Sequence, residues 1–148
     1  MQIRALKTEE LGKLLAIYKH LHQKDADLPD LDKLKKLWNE IQNSNHFHYF
    51  GVFIHNKLVS SCTLSLIPNF TRGAKPYGLL ENVVTQKAHR RKGYGKKLLK
   101  YVQKFAWNHG CYKLMLLSGR KEPYITKFYE NAGFNSNIKK GFIAYPNL

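Results

Sequence analysis

A basic glycine turn between an apolar segment and an amphipathic one dominates this sequence. Residues 77–84 are mostly apolar, residues 90–95 read Arg-Arg-Lys-Gly-Tyr-Gly, and residues 94–109 repeat apolar side chains at helical spacing. The pattern predicts a strand, a tight turn and a helix, in that order. Glycines let the backbone turn with its N–H groups outward, and a helix N-terminus adds partial positive charge. The turn is therefore a predicted binding site for a phosphate-bearing ligand.

The spacing of these glycines excludes two common phosphate-binding motifs. A Walker loop needs Gly-x-x-x-x-Gly-Lys followed by Ser or Thr, and the chain contains no such run. A dinucleotide fingerprint needs a third small residue, whereas position 98 is Leu. Neither a P-loop nor a nicotinamide site is expected.

The turn resembles the pyrophosphate loop of the GNAT superfamily of acyl-CoA-dependent N-acetyltransferases, which reads Arg/Gln-x-x-Gly-x-Gly/Ala. A second likeness lies downstream, because residues 127–134, Lys-Phe-Tyr-Glu-Asn-Ala-Gly-Phe, are similar to the family's Phe-Tyr-Glu-x-x-Gly-Phe segment. Residues 110–117 also resemble the strand that the family places beside the cofactor. They are similar to that strand in the glucosamine-phosphate-type members, which does not identify the substrate. The resemblance spans residues 78–134.

Hydrophobic periodicity and turn signals give the order of the elements. The predicted elements are a strand at 2–6, helices at 8–22 and 31–42 with Asp30 as N-cap, a hairpin at 46–67, a strand at 77–84, a helix at 94–109, a strand at 112–117, a helix at 123–131 and a last strand at 134–145. This order is typical of an α+β fold, and 148 residues suit a single domain, 1–148. The resemblance implies a GNAT-like three-layer α/β/α fold, with a central mixed, mostly antiparallel sheet splayed at the cofactor site near Val84 and Tyr112.

The resemblance implies acetyl-CoA as cosubstrate. The acetyl carbonyl and pantetheine amides would pair with strand backbone around residues 82–84, and the pyrophosphate would lie on the turn. The predicted cofactor-binding residues are Val83, Val84, Arg90, Arg91, Lys92, Gly93, Tyr94, Gly95 and Lys96. Glu122 departs from the pattern, because it falls where many relatives have an Asn that helps hold CoA, and Arg120 or Lys121 would have to compensate its charge.

Two side chains are candidates for proton transfer. Tyr129 matches the family position whose phenol commonly faces the CoA sulfur, and a phenol with a pKa of about 10 can protonate a departing thiolate. The alternative is that Tyr129 belongs to the apolar face of a short helix. Glu81 lies on the strand just before the turn and is the candidate general base, with a sheet carboxylate paired to a Lys or Arg as the alternative.

The positive charge is unevenly distributed. The net charge is +15, and residues 41–148 hold 17 of the 25 Lys and Arg residues but only three of the ten Asp and Glu residues. Coenzyme A is a polyanion that such a region could neutralise, and a basic surface could equally attract nucleic acid. Because most aromatic residues fall at apolar-periodic positions, nucleic acid is the less favoured partner.

Several other classes of protein are disfavoured. Cys62 and Cys111 lie in apolar surroundings without metal-ligand spacing, so they are predicted core thiols, and no disulfide or metal site is expected. No apolar run approaches the roughly 18 residues of a membrane span, and the first residues do not form a secretory signal, so no membrane partner and a cytoplasmic location are expected.

The sequence therefore predicts an N-acetyltransferase that moves an acetyl group from acetyl-CoA to a primary amine of a small molecule, by direct attack in a ternary complex. A basic nucleic-acid-binding module and a non-catalytic acyl-CoA sensor are the alternatives. Acidic residues at 25–32 could line a pocket for cationic amines or simply cap a helix. A homodimer remains open, because dimers are common in the resembled family.

Overall fold

A computed structural model describes residues 1–22, 24–119 and 122–146. Within them the chain forms one five-stranded sheet of order β1-β2-β3-β4-β5. The strands are β1 (Gln2–Ala5), β2 (Phe47–Ile54), β3 (Lys57–Ile67), β4 (Tyr77–Thr85) and β5 (Leu114–Leu116). β1 to β4 pair as antiparallel neighbours, and β4 pairs with β5 in parallel. The expected mixed, mostly antiparallel sheet is confirmed.

The helices flank this sheet. They are α1 (Leu11–Tyr18), α2 (Leu31–Gln42), the single turn α3 (Thr71–Ala74), α4 (Tyr94–Asn108) and α5 (Pro123–Asn131), with 3₁₀ turns at Thr8–Glu10 and Lys87–His89. Asp30 caps α2 as expected, since its carboxylate accepts a 2.9 Å hydrogen bond from the Lys33 amide. Throughout the described segments, no helix combines the length and apolar character needed to cross a membrane.

Two separate hydrophobic clusters lie against the sheet. One packs beneath α4 and includes Phe50, Leu98 and Val102. The other packs beneath α1 and α2 and includes Tyr49 and Trp38. Because Tyr49 and Phe50 are consecutive strand residues, their side chains point to opposite faces of the sheet. The sheet is thus covered on both faces, as the three-layer prediction requires.

The sheet opens between β4 and β5. Only Gly78–Leu80 of β4 pairs with Leu114–Leu116, whereas β4 continues to Thr85. In the same stretch β4 bulges, because Glu81 lies opposite Thr63 but Val84 lies opposite Ser61, and Asn82 has a φ of 54°. A bulge bends its strand and increases the local twist. The splay expected after the paired section is therefore present, and it begins beyond Leu80.

Two predicted elements are shorter than expected, and one predicted strand does not form in the described segments. Helix 8–22 ends at Tyr18, where i→i+3 bonds from His20 to Ile17 and from Leu21 to Tyr18 tighten the last turn. The strand predicted at 112–117 is reduced to three residues. No strand forms in the described part of 134–145, because strand propensity is expressed only where a neighbouring strand supplies hydrogen bonds, and this segment pairs with none.

A buried carboxylate fastens the first helical segment to β1. The guanidinium of Arg4 donates two hydrogen bonds to Glu10, at 2.7 and 2.9 Å, and the amide of Lys7 and the ammonium of Lys13 donate to the same carboxylate. The side chain of Glu10 is only 5% exposed. The Arg4 hydrogen bonds lower the pKa of Glu10 from 4.5 to about 2, against the opposing effect of burial.

We expect Glu10→Gln to lower the free energy of unfolding at pH 7 by about 3 kcal/mol, because it leaves a partly buried guanidinium without its charge partner. Glu10 has a lower pKa when folded, so its stabilising effect is complete above its ordinary pKa of 4.5 and is lost as the pH falls towards about 2. The gap between wild type and variant should close over that range in urea titrations. Glu9→Gln, at an exposed neighbour, is the control; equal losses in both variants would contradict the interpretation.

Candidate active site

The N-terminus of α4 presents unpaired backbone donors. Gly93 is its N-cap with a φ of 78°, and the first helical bond runs from the Lys97 amide to the Gly93 carbonyl. In the described chain, the amides of Tyr94, Gly95 and Lys96 have no acceptor, and Gly93 provides no side-chain cap. The arrangement suits an anion, because these N–H groups and the helix dipole point the same way.

The basic side chains of the turn divide into two groups. Arg91, Lys92 and Lys96 are exposed around the helix N-terminus, and their predicted contact with a bound anion stays a prediction. Arg90 instead donates from Nε to the Thr85 carbonyl at 3.1 Å and from Nη2 to the His20 carbonyl at 3.3 Å. The structure therefore gives the Arg90 side chain a bracing position between the end of β4 and the segment after α1. Its predicted contact with pyrophosphate stays a prediction.

The structure brings the two resembling motifs into contact. Gly95 is buried, and a Cβ built on it would lie 3.1 Å from Cζ of Phe128 and 3.4 Å from the hydroxyl of Thr85. The amide of Gln103 in α4 also donates a 2.8 Å hydrogen bond to the carbonyl of Ala132, just after α5. The position of α5 is thus set by the absence of a side chain at residue 95.

Tyr129 is held on α5 beside this contact. Its ring is half-buried against the cluster beneath α4 and lies 5.0 Å from the ring of Phe128 and 6.2 Å from that of Phe134, between centroids. The Phe134 amide donates to the Tyr129 carbonyl, which closes the turn after the helix. Tyr129 thus packs against the core, as the alternative reading expected, and its role as proton donor stays a prediction.

Glu81, Val83 and Val84 lie on β4 beyond its last pair with β5. Glu81 is exposed, and across the described chain its carboxylate makes no ion pair or hydrogen bond. Val83 packs in the cluster beneath α4, and Val84 packs in the opposite cluster. Their backbone lies at the opening of the sheet, because the pairing of β4 with β5 ends at Leu80. The structure therefore places a free carboxylate and strand backbone at the same edge.

Sequence reasoning missed a polar cluster on the α1 side of the opening. The hydroxyl of Tyr18 lies 3.4 Å from Oγ1 of Thr63, and Nδ2 of Asn82 lies 3.5 Å from the same oxygen. Burial raises the pKa of Tyr18 and of Tyr49 beside them, so both phenols stay neutral. In the sequence these residues appear only as polar positions that interrupt apolar runs. That pattern does not reveal that their side chains meet in the fold. We call Tyr18, Tyr49, Thr63 and Asn82 the neutral wall.

Other predicted features fall outside this arrangement. Glu122 is the exposed N-cap of α5, while its proposed compensating neighbours at 120 and 121 lie outside the described residues. Both cysteines are buried and free, and burial raises the pKa of each thiol. In the described segments, no group of three or more His, Cys, Asp and Glu side chains could hold a metal ion.

Residues 13–134 match the Acetyltransferase (GNAT) family, and the chain belongs to that family. It is therefore an acyltransferase that uses acetyl-CoA. It is 27% identical over 147 residues to a glucosamine 6-phosphate N-acetyltransferase of Trypanosoma brucei brucei, covering 95% of this chain and 92% of the relative.

Two solved structures extend the comparison. A protein of Agrobacterium tumefaciens str. C58 described as an acetyltransferase superposes with a TM-score of 0.91 at 34% identity, covering 98% of this chain and 99% of the other. A glucosamine-6-phosphate N-acetyltransferase of Arabidopsis thaliana gives a TM-score of 0.84 over 97% of both chains. At 21% identity, this second likeness concerns the fold alone.

Proposed function

We propose that the protein transfers an acetyl group from acetyl-CoA to a primary amine of a small molecule, by direct attack in a ternary complex. The observation that carries the proposal is the opening between β4 and β5. It lies next to the N-terminus of α4, which has no side-chain cap. A pyrophosphate can bind the helix amides while the attached thioester reaches along the open edge of β4. Both substrates then share one opening without a covalent enzyme intermediate.

The chemistry assigns a role to each group at that edge. The carboxylate of Glu81 takes a proton from the acceptor ammonium, directly or through a water molecule, so that a neutral amine can attack the thioester carbon. A backbone N–H near Val84 donates to the developing oxyanion. Collapse of the tetrahedral intermediate breaks the C–S bond, and the hydroxyl of Tyr129 gives its proton to the leaving thiolate. The attacking nitrogen loses its remaining extra proton to water, and the Tyr129 phenolate regains a proton from water.

The neutral wall supports a polar acceptor. Its phenols, hydroxyl and amide can donate to or accept from an acceptor hydroxyl, and burial keeps the phenols uncharged. The 27% identical relative is a glucosamine 6-phosphate N-acetyltransferase, which makes amino sugars and their phosphates the first acceptors to test. The acidic residues at 25–32 support a cationic pocket less well, since Asp30 caps α2.

The test combines binding with turnover. Thermal-shift titrations compare acetyl-CoA with dephospho-CoA, and thiol release with product mass is then followed for glucosamine 6-phosphate, glucosamine, a polyamine and a lysine peptide. We expect stabilisation by acetyl-CoA and acetylation of at least one small amine, with turnover lost in Glu81→Gln. Stabilisation without transfer to any amine would favour an acyl-CoA sensor, and preference for the peptide would refute a small-molecule acceptor.

A further inference from the structure

Helix α4 carries a row of lysines on the side that faces away from the sheet. Leu98, Leu99 and Val102 are fully buried against the sheet. Lys97, Lys100 and Lys104 are exposed and follow one another at spacings of three and four residues, which places them on one stripe of the helix. The row covers about 10 Å along the helix axis.

In the described segments, these lysines form no ion pair with a carboxylate. The 15 residues of α4 include no Asp or Glu, and the ion pairs of the described chain all lie within the first 40 residues. Like charges at these spacings destabilise a helix, and Lys97 lies near the end where the dipole disfavours a cation. A bound pyrophosphate would account for Lys97. Lys104 lies two turns further along the helix, so a second anion would be required to pair with it.

Two aromatic side chains flank the row. Tyr101 is 40% exposed and Trp107 is 47% exposed, although the sequence pattern predicted most aromatic residues inside the core. Trp107 makes no ring-stacking contact with any described residue, whereas Tyr101 is packed edge-on against Phe50. The indole is therefore partly exposed about one turn beyond the last lysine. That exposure makes this helix an exception to the aromatic pattern that disfavoured a nucleic-acid partner.

We propose that the outward face of α4, formed by Lys100, Lys104 and Trp107, binds single-stranded nucleic acid. The lysines would neutralise successive phosphates, and a base would stack on the indole, the combination that sequence-tolerant single-strand binding uses. A duplex keeps its bases stacked and offers none to the ring. An anionic membrane is disfavoured, because its binding helices present an apolar face to the lipid, while the apolar face of α4 is buried.

This surface is separate from the proposed catalytic groups, so the two proposals can fail independently. The probe is a fluorescein-labelled single-stranded oligonucleotide of about 16 nucleotides, with binding to the full chain followed by anisotropy at several salt concentrations. Lys100→Gln with Lys104→Gln should reduce the slope of log affinity against log salt by about 1.4, since each lost phosphate contact removes about 0.7. Gln is chosen because Lys100 Nζ lies beside Gly133, and the amide of Gln keeps a hydrogen-bond donor on this side chain.

Trp107→Ala should weaken binding by about 5- to 150-fold at fixed salt without changing the slope. Lys35→Gln with Lys36→Gln makes the same charge change on the exposed side of α2 and should leave the slope intact. Acetyl transfer should be unaffected in all three variants. Equal slopes for the two double variants, no effect of Trp107→Ala, or equal binding of duplex DNA or phosphatidylserine vesicles would overturn the proposal.

Discussion

Tyr129→Phe is expected to lower kcat for acetyl transfer by about 10²- to 10⁴-fold while leaving the affinity for acetyl-CoA within about twofold. The substitution removes one oxygen and keeps the ring, which is half-buried against the cluster beneath α4. The proton for the departing thiolate must then come from a less well placed donor. Steady-state thiol release and calorimetric titration with acetyl-CoA separate the chemical step from binding.

Tyr124→Phe is the matched control, because Tyr124 lies on the same helix and is 63% exposed. It should leave kcat and affinity unchanged. An unchanged kcat in Tyr129→Phe would remove the acid role, and a loss confined to acetyl-CoA affinity would assign the hydroxyl to cofactor binding instead.

The second large effect is expected for Gly95→Val. Even a methyl group at this position would lie 3.1 Å from the Phe128 ring, and valine adds two more carbons in a buried contact. Overpacking of this kind costs about 1–3 kcal/mol of stability. The displaced ring adjoins Tyr129, and a shift of about 1 Å in a catalytic group can reduce the rate by about 10²-fold. We therefore expect kcat to fall by about that factor, together with a lower Tm.

Gly12→Val tests whether the effect is specific to the contact. Gly12 lies on an exposed side of α1, and a Cβ there would meet nothing within 4 Å. Its kcat should equal that of the wild type. If Gly95→Val retains full activity at a temperature where it is folded, the contact between the two motifs does not position Tyr129.

The elements that the sequence predicted well are those with local signals. The two-residue turn at His55 and Asn56, both with positive φ, joins β2 to β3 where the hairpin was expected, and α5 has the predicted bounds 123–131. Gly93 and Gly95 are each required, the first by its φ of 78° and the second by its contact with Phe128.

The features that escaped prediction depend on tertiary context. The segment 134–145 has strand-forming residues but lacks hydrogen-bonded pairing in the described chain, and a local pattern does not encode whether a partner is present. The neutral wall draws one residue from α1 and others from three strands, so no spacing in the sequence links them. The bracing position of Arg90 likewise depends on the His20 carbonyl, 70 residues away in the chain.

That brace has a thermodynamic consequence. Arg90 joins the turn before α4 to the segment just after Tyr18, so a movement of the turn on binding an anion would displace one side of the neutral wall. Two ligands that bias the same element have linked affinities, and the factor by which the first changes the second equals the factor in the reverse direction. Where the turn moves, cosubstrate and acceptor should therefore have linked affinities, changed by the same factor whichever of them binds first.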